Sequence, residues 1–236
     1  MQMMNKLSEY LFNRDNDPDY VFSNLSEDQR RELNTSCVRK KLRKGEVIFK
    51  EGNEPLGLIY LLKGSAKVYK IGTGVREQIV RLVKPLSFVG YKALFAGKPH
   101  TVSAAAIEVS EIIIYDKGVL NKIMSDNPDF AREIIKALAN ELAFNYNRLI
   151  NLTQKHLRGR LAETLLLIKD IYGFEKDGKT LKAHFTRDTL AHFSNMTTSN
   201  AIRTLKKFND EKLIRADGKA IILLNLPELE RISNLG

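Results

Sequence analysis

Between Asn195 and Ile214 the chain reads NMTTSNAIRTLKKFNDEKLI. Thr197, Thr198, Ser199 and Asn200 form an uncharged polar run, and Arg203, Lys206 and Lys207 follow it. On a helical wheel Ala201, Ile202, Leu205 and Phe208 fall on one face at the spacing of a core stripe, while Ser199, Asn200, Arg203, Lys206 and Lys207 fall on the other. Small hydroxyls and amides at a helix start can bond phosphates or base edges, Asn can pair with adenine, and Arg grips guanine through two hydrogen bonds. The open N–H groups of the first turn favour phosphate. Just upstream, TRDTLAHFS reads as a helix with Thr186 as its N-cap and Asp188 in its first turn, and Asn195-Met196 reads as a tight turn. A helix, a tight turn and a second helix of this kind seat the second helix in a major groove. Lys206, Lys207 and Lys219, the last at a hairpin turning at Asp217-Gly218, would add sequence-independent affinity that falls with salt. The chemistry these residues support is recognition of double-stranded DNA. The alternative on the same residues is a helical protein-interaction domain with a solvated basic face.

Other chemistries find less support. Cys37 is the only cysteine among 236 residues, so an internal disulfide, a CxxC metal pair and an iron–sulfur ligand set are all excluded. Of the four histidines, His184 and His192 fall in the C-terminal segment and His156 on the long helix, which leaves His100 as the one axial candidate and gives haem little support. No phosphate loop, nucleophile elbow or HExxH pattern occurs, and Gly72-Thr73-Gly74 reads as a hairpin turn because no helix follows it. The chain therefore reads as a binding protein rather than an enzyme. A formal net charge of +10 suits an anionic partner. No apolar run reaches a membrane span, and the first twenty residues lack the layout of a secretory leader, so the reading is cytoplasmic with no membrane partner.

Three segments must position these groups. From about Leu42 to Tyr115 short strands alternate with glycine turns, which predicts an antiparallel barrel or sandwich. SNLSEDQRRELNTS before them predicts a helix capped by Ser26 with Glu27 and Asp28 in its first turn. SAAAIEVSEIIIYD is a late strand pair. From about Pro128 to Leu157 one long helix is predicted. Ala131, Ile135, Leu138, Leu142, Asn145, Leu149, Leu152 and His156 recur on it at alternating four- and three-residue steps, which reads as the heptad seam of a parallel dimer with Asn145 fixing register; the alternative on the same residues is a buried helix of a monomer. Phe130 and Ile134 lie beside the seam and can pack back on the barrel. From Gly159 the pattern reads helix, short strand at KAHF, helix, helix and hairpin.

Taken together, FTRDTLAHFSNMTTSNAIRTLKKFNDEKLI resembles the winged helix-turn-helix of the cyclic-AMP receptor protein / fumarate–nitrate regulator (Crp/Fnr) family. RGRLAETLLLI resembles that family's helix after the dimer hinge, and KGEVIFKEGNEPLGLIYLLKGSAKVYK resembles the start of its β-roll. The resemblance implies an α+β chain in three parts. These are a cyclic-nucleotide-binding-type β-roll over residues 1–126, a dimerisation helix over 127–157 and a C-terminal winged helix-turn-helix over 158–236. It implies a homodimeric bacterial transcription factor, with RNA polymerase as its protein partner. The family's base-reading arginine falls on Arg203. The two positions that often hold Arg and Glu are Thr198 and Ser199 here, so the half-site read by Arg-and-Glu members is not expected.

The resemblance also places an effector pocket at Gly90, Tyr91, Lys92, His100 and Thr101. Members that bind cyclic AMP carry a Gly-Glu pair whose Glu accepts from the ribose, and an Arg-Ser pair that holds the phosphate. Gly90 matches, but Tyr91 stands at the Glu position, and His100 and Thr101 align with Arg-Ser. A guanidinium is always charged and grips phosphate bidentately, whereas a histidine is mostly neutral at pH 7. These changes argue against cyclic AMP and for a different small molecule. The remaining alternatives are a ligand-independent regulator with a degenerate roll, and a ligand-responsive signalling adaptor that acts through protein contacts.

Overall fold

The computed structural model describes Phe22 and residues 24–236. The stretch read above for a secretory leader lies outside the described residues. Helix α1 (Glu27–Thr35) opens the described chain. Its N-cap Ser26 forms a full capping box with Gln29, and Glu27 and Asp28 fill the first turn.

Eight strands follow. One antiparallel sheet has the order β1 (Cys37–Leu42), β8 (Ser110–Asp116), β3 (Gly57–Lys63), β6 (Ser87–Val89). The other has the order β2 (Val47–Phe49), β7 (Ser103–Ala106), β4 (Ala66–Ile71), β5 (Glu77–Val83). The late pair β7 and β8 does not form a hairpin: β7 joins β2 and β4, and β8 joins β1 and β3. Along β3, Ile59 and Leu61 face the core between the sheets, while Leu58 and Tyr60 face a second core on the other side. The central strands β3 and β8 are buried on both faces, which is why GLIYLL and IIIY are nearly continuous apolar runs. The second core is closed by Leu33 of α1, by Leu94 of α2 (Tyr91–Ala96), by Leu120 and Ile123 of α3 (Lys117–Asp126), and by Phe130 and Ile134 of α4 (Pro128–Gln154). Phe130 and Ile134 thus pack back on the roll as expected.

The long helix α4 is continuous from Pro128 to Gln154. It ends short of the predicted Leu157, so His156 leaves the seam and becomes the N-cap of α5 (Leu157–Tyr172). The described residues fall into two compact units divided within α4, between Leu142 and Ala143. The first collects the described residues up to Arg76 and Val80–Leu142; the second collects Ala143–Gly236 with Glu77–Ile79.

In the second unit α5 is followed by α6 (Arg187–Phe193), α7 (Thr198–Asp210), the hairpin β9 (Ile214–Asp217) with β10 (Ala220–Leu223), and α8 (Leu226–Leu235). The expected strand at KAHF is not formed. The bridges fall just before it, Thr180 to Ile222 and Leu181 to Phe174. There Asp177 accepts from the backbone of Lys179 and Thr180 and turns the chain. The sequence reading also missed α8. Its N-cap Asn225 accepts from the Glu228 N–H, Pro227 sits in the first turn, and Leu229 and Ile232 are buried. Gly159 of α5 has no room for a Cβ, which would lie 2.5 Å from the carbonyl carbon of Gly236.

Candidate nucleic-acid interface and effector region

Local chemistry builds the two-helix unit. Thr186 caps α6 by accepting from the Thr189 N–H at 3.1 Å. After Phe193 the chain turns through Asn195, which takes the left-handed conformation that Asn tolerates (φ 51°). The Met196 N–H then closes the turn onto the Ala191 carbonyl, and the Met196 side chain is buried. Thr197 caps α7 by accepting from the Asn200 N–H at 3.2 Å. The Thr198 hydroxyl donates to Asp188 at 2.6 Å, which ties the start of α7 to the first turn of α6. Thr186, Thr197 and Thr198 therefore already hold structural hydrogen bonds.

The exposed face of α7 carries Ser199, Arg203, Lys206 and Lys207, with Asn200 half-buried. One residue departs from the predicted wheel. Ile202 is 51% exposed, and Thr204 takes its place in the core beside Ala201, Leu205 and Phe208. The wheel was shifted by part of a turn, and the buried arc runs through positions 201, 204, 205 and 208. Ile202 thus stands beside Arg203 and one turn after Ser199, on the side where base edges would be met. Lys219 is exposed in the two-residue loop Gly218-Lys219, one position later than the turn expected from the sequence. The Arg187 guanidinium braces that loop by donating to the Gly218 carbonyl at 2.9 Å. A cleft of about 400 Å³ opens between the start of α5 and α7, lined by His156, Arg158, Asn200, Arg203, Thr204 and Lys207. Arg158 is engaged there by the Glu211 carboxylate and the Phe208 ring, while Arg203 and Lys207 remain exposed.

Position 148 shows how the end of α4 meets this unit. Arg148 is buried, donates to the Phe193 carbonyl at the end of α6, and lies over the Phe193 ring at 4.2 Å. Burial pulls its pKa down to about 10, with Arg160 adding to the shift and Glu163 opposing it, so it is still a cation at neutral pH. Glu163 of α5 is buried too, accepting from Asn151 and pairing with Lys155 at 3.1 Å.

In the first unit the five expected effector residues divide into two places. Gly90 has a positive φ of 74°, and a Cβ there would meet the Phe49 ring at 2.7 Å and the His100 ring at 3.0 Å. His100 is buried and stacks on Phe49 with ring centroids 3.8 Å apart. Burial lowers its pKa, with Glu54 opposing the shift. Thr101 is exposed, and its carbonyl accepts from Lys70 at 3.0 Å. Tyr91 and Lys92 face α4 instead. The Tyr91 hydroxyl donates to Glu141, Lys92 lies 3.1 Å from the same carboxylate, and Arg81 of β5 lies 3.7 Å from it. Glu141 is 7% exposed. Burial pushes its carboxyl up, but Arg81, Lys92 and the Tyr91 hydroxyl outweigh that and leave it below the usual range. Burial raises the Tyr91 phenol, with Glu141 adding to the rise and Arg81 opposing it. Sequence reasoning found Tyr91 and Lys92 but missed Arg81 and Glu141.

The outer face of α4 is apolar and open. Ile135, Leu142, Tyr146, Leu149 and Ile150 are each close to half exposed or more, and Asn145 is exposed among them. Leu138 and Leu152 are partly buried. Among the described residues no helix is long and apolar enough to cross a membrane.

Comparison with known proteins gives a consistent result. Residues 39–127 match the model of the cyclic nucleotide-binding domain, and residues 159–232 match that of the Crp-like helix-turn-helix domain. The fumarate and nitrate reduction regulatory protein of Vibrio cholerae is 26% identical over 215 residues, 89% of this chain and 85% of that protein. A CRP-like cAMP-activated global transcriptional regulator of Mycobacterium tuberculosis is 24% identical over 189 residues, 80% of this chain and 84% of that one. The solved structure of FixK2 from Bradyrhizobium japonicum shares the fold with a TM-score of 0.75 at 20% identity, covering 83% of this chain and 96% of its own.

Proposed function

This chain belongs to the Crp/Fnr family of DNA-binding transcription regulators, and from that premise we propose that it works as a homodimer under the control of a small molecule in the β-roll. The observation that carries the dimer is the outer stripe of α4. Ile135, Leu142 and Leu149 recur every seven residues and stay open to solvent, with Tyr146 and Ile150 beside them. A second copy of the same helix covers that stripe in a two-fold pair and sets two α7 helices about 34 Å apart, one turn of DNA. Arg203 then reads a guanine, Ser199 and Asn200 meet base edges or phosphate, and Lys206, Lys207 and Lys219 supply affinity that falls with salt. The protein acts by binding and not by catalysis, in the cytoplasm, with RNA polymerase as its further partner.

Two features support an effector other than cyclic AMP. The residue at the ribose-accepting position is Tyr91, and its hydroxyl is given to Glu141. The residue at the phosphate-holding position is His100, which is buried in a stack with Phe49 and carries a lowered pKa. An effector in the roll shifts how two α4 helices pair, and so resets the spacing of the recognition helices. The test is selection of bound DNA from a random pool by the purified protein. The expected product is an inverted repeat with half-sites one helical turn apart. Enrichment of a single unrepeated half-site, or a protein that stays monomeric on the selected DNA, would overturn the dimeric reading.

A further inference from the structure

The inner stripe of α4 runs through Phe130, Ile134, Ala137, Glu141 and Phe144. Four of these positions are apolar, and the fifth is a buried carboxylate. Burying an ion pair gives little net stability, because desolvation cancels most of the attraction and an apolar residue of similar size often serves as well. Glu141 is also the only charged residue among the buried side chains of Val80–Leu142. Its three partners share a property. Arg81, Tyr91 and Lys92 all come from the roll and its short helix α2, and the carboxylate alone comes from α4. The roll thus presents a guanidinium, a phenolic hydroxyl and an ammonium converging on one point, which is the donor set of an anion site. The Arg81 guanidinium also lies 6.0 Å from the Tyr91 ring centroid, and the Lys92 side chain is half-exposed.

We propose that Arg81, Tyr91 and Lys92 form an anion-binding site in which Glu141 is a built-in occupant, and that the ligand of this site is a small carboxylate or phosphate that exchanges with the Glu141 side chain. The side chains of this site do not include Gly90, His100 or Thr101. Exchange leaves the donors satisfied and releases the α4 carboxylate, so the ligand would act directly on how that helix sits against the roll. The regulatory part of this inference rests on the reading of the roll as a sensor; the existence of the site does not.

The experiment is chemical rescue in the full-length protein. Glu141→Ala removes the occupant and leaves the donors. Its melting temperature is measured in about 50 mM sodium formate, in phosphate and in chloride at matched ionic strength. We expect the variant to melt roughly 6–15 °C below the parent in chloride, as loss of one partner from a buried pair implies, and to recover a third or more of that loss in formate or phosphate. The two salts separate a carboxylate ligand from a phosphate one. The parent, with Glu141 in place, should shift by about a degree or less, and Arg81→Met/Glu141→Ala should gain nothing. If the single variant does not fold in chloride, its refolding yield in formate against chloride is the same measurement. Equal behaviour in all three salts overturns the site. Rescue of melting without any change in affinity for the selected DNA keeps the site and overturns the sensor reading instead.

Discussion

The outer stripe of α4, proposed above as a dimer seam, gives the most direct number. Leu142 and Leu149 keep 51% and 58% of their surface open. Full burial of a leucine side chain contributes about 1.5–3 kcal/mol, so covering the open half contributes about 1 kcal/mol. A two-fold pair contains each residue twice, and the four side chains together supply about 4 kcal/mol of association. The double variant Leu142→Ala/Leu149→Ala keeps about a quarter of that, a loss of roughly 3 kcal/mol before any cavity is counted. The dimer dissociation constant should therefore rise about 100-fold. Alanine is the best helix former and both side chains point outward, so helix content by circular dichroism should not fall. Sedimentation equilibrium across the micromolar range measures the constant directly. A change of less than about threefold would show that these leucines do not form the interface. A parent protein that is monomeric throughout would refute the argument at its root.

Three further outcomes follow from the second unit and the roll. Arg203→Ala should cost about 1–3 kcal/mol in binding to the selected DNA and relax the sequence at one position, while Lys206→Ala should weaken all sequences alike and reduce the salt slope by about 1, both read by fluorescence anisotropy. Ile202→Ser should leave stability within about 0.5 kcal/mol by denaturant titration, because the side chain is 51% exposed. It should nevertheless lower the preference for a thymine in the half-site, whose methyl group an exposed isoleucine can contact. The pKa of His100 is lowered from 6.5 by burial, so below that value the unfolded chain binds more protons and stability must fall as pH drops, down to the folded pKa. His100→Phe should flatten this part of the melting curve against pH. Glu141, whose folded pKa is also lowered, adds to the loss at lower pH together with the hydrogen-bonded carboxylates Glu46, Asp177, Glu211 and Glu228, since the stabilising contribution of each disappears on acidification.

Where interactions are local, the sequence was a good guide. The caps at Ser26 and Thr186 join residues three apart and the turn at Asn195 closes over five, and each forms as its residue type predicts, whereas Thr197, read for DNA contact, is itself a cap. The exchange of Ile202 for Thr204 in the core of α7 shows the limit of a helical wheel. Hydrophobicity favoured Ile202, but α7 is seated by Ala201, Leu205 and Phe208, and the buried arc they define includes the adjacent threonine. The missed helix α8 did leave a signal, since Asn225 followed by Pro227 and Glu228 is an N-terminal pattern with Leu229 and Ile232 at helical spacing. The effector residues were harder to place. Their grouping came from a family pattern, whereas the side chains follow Phe49 and Glu141, and these lie some forty to fifty residues away in sequence.

Glu141 and Arg148 carry the most information about α4, and both interrupt its inner stripe. They are seven residues apart on one face, and each is buried against a different compact unit. Successive helical residues are about 100° apart, so turning α4 by a single position would withdraw Glu141 from Arg81 and Lys92 and bring Leu142 toward them. Within the second unit, a turn of the same size would remove Arg148 from the Phe193 carbonyl. The inner ionic contacts therefore decide which residues the outer face of α4 turns to solvent. Apolar packing on the inner side would tolerate small rotations, because dispersion contacts are individually weak and unoriented. Hydrogen-bonded charges in a dry setting do not, since a shifted carboxylate or guanidinium would be left buried and unpaired. The buried charges, costly as they are, therefore make the rotational setting of α4 one of discrete states.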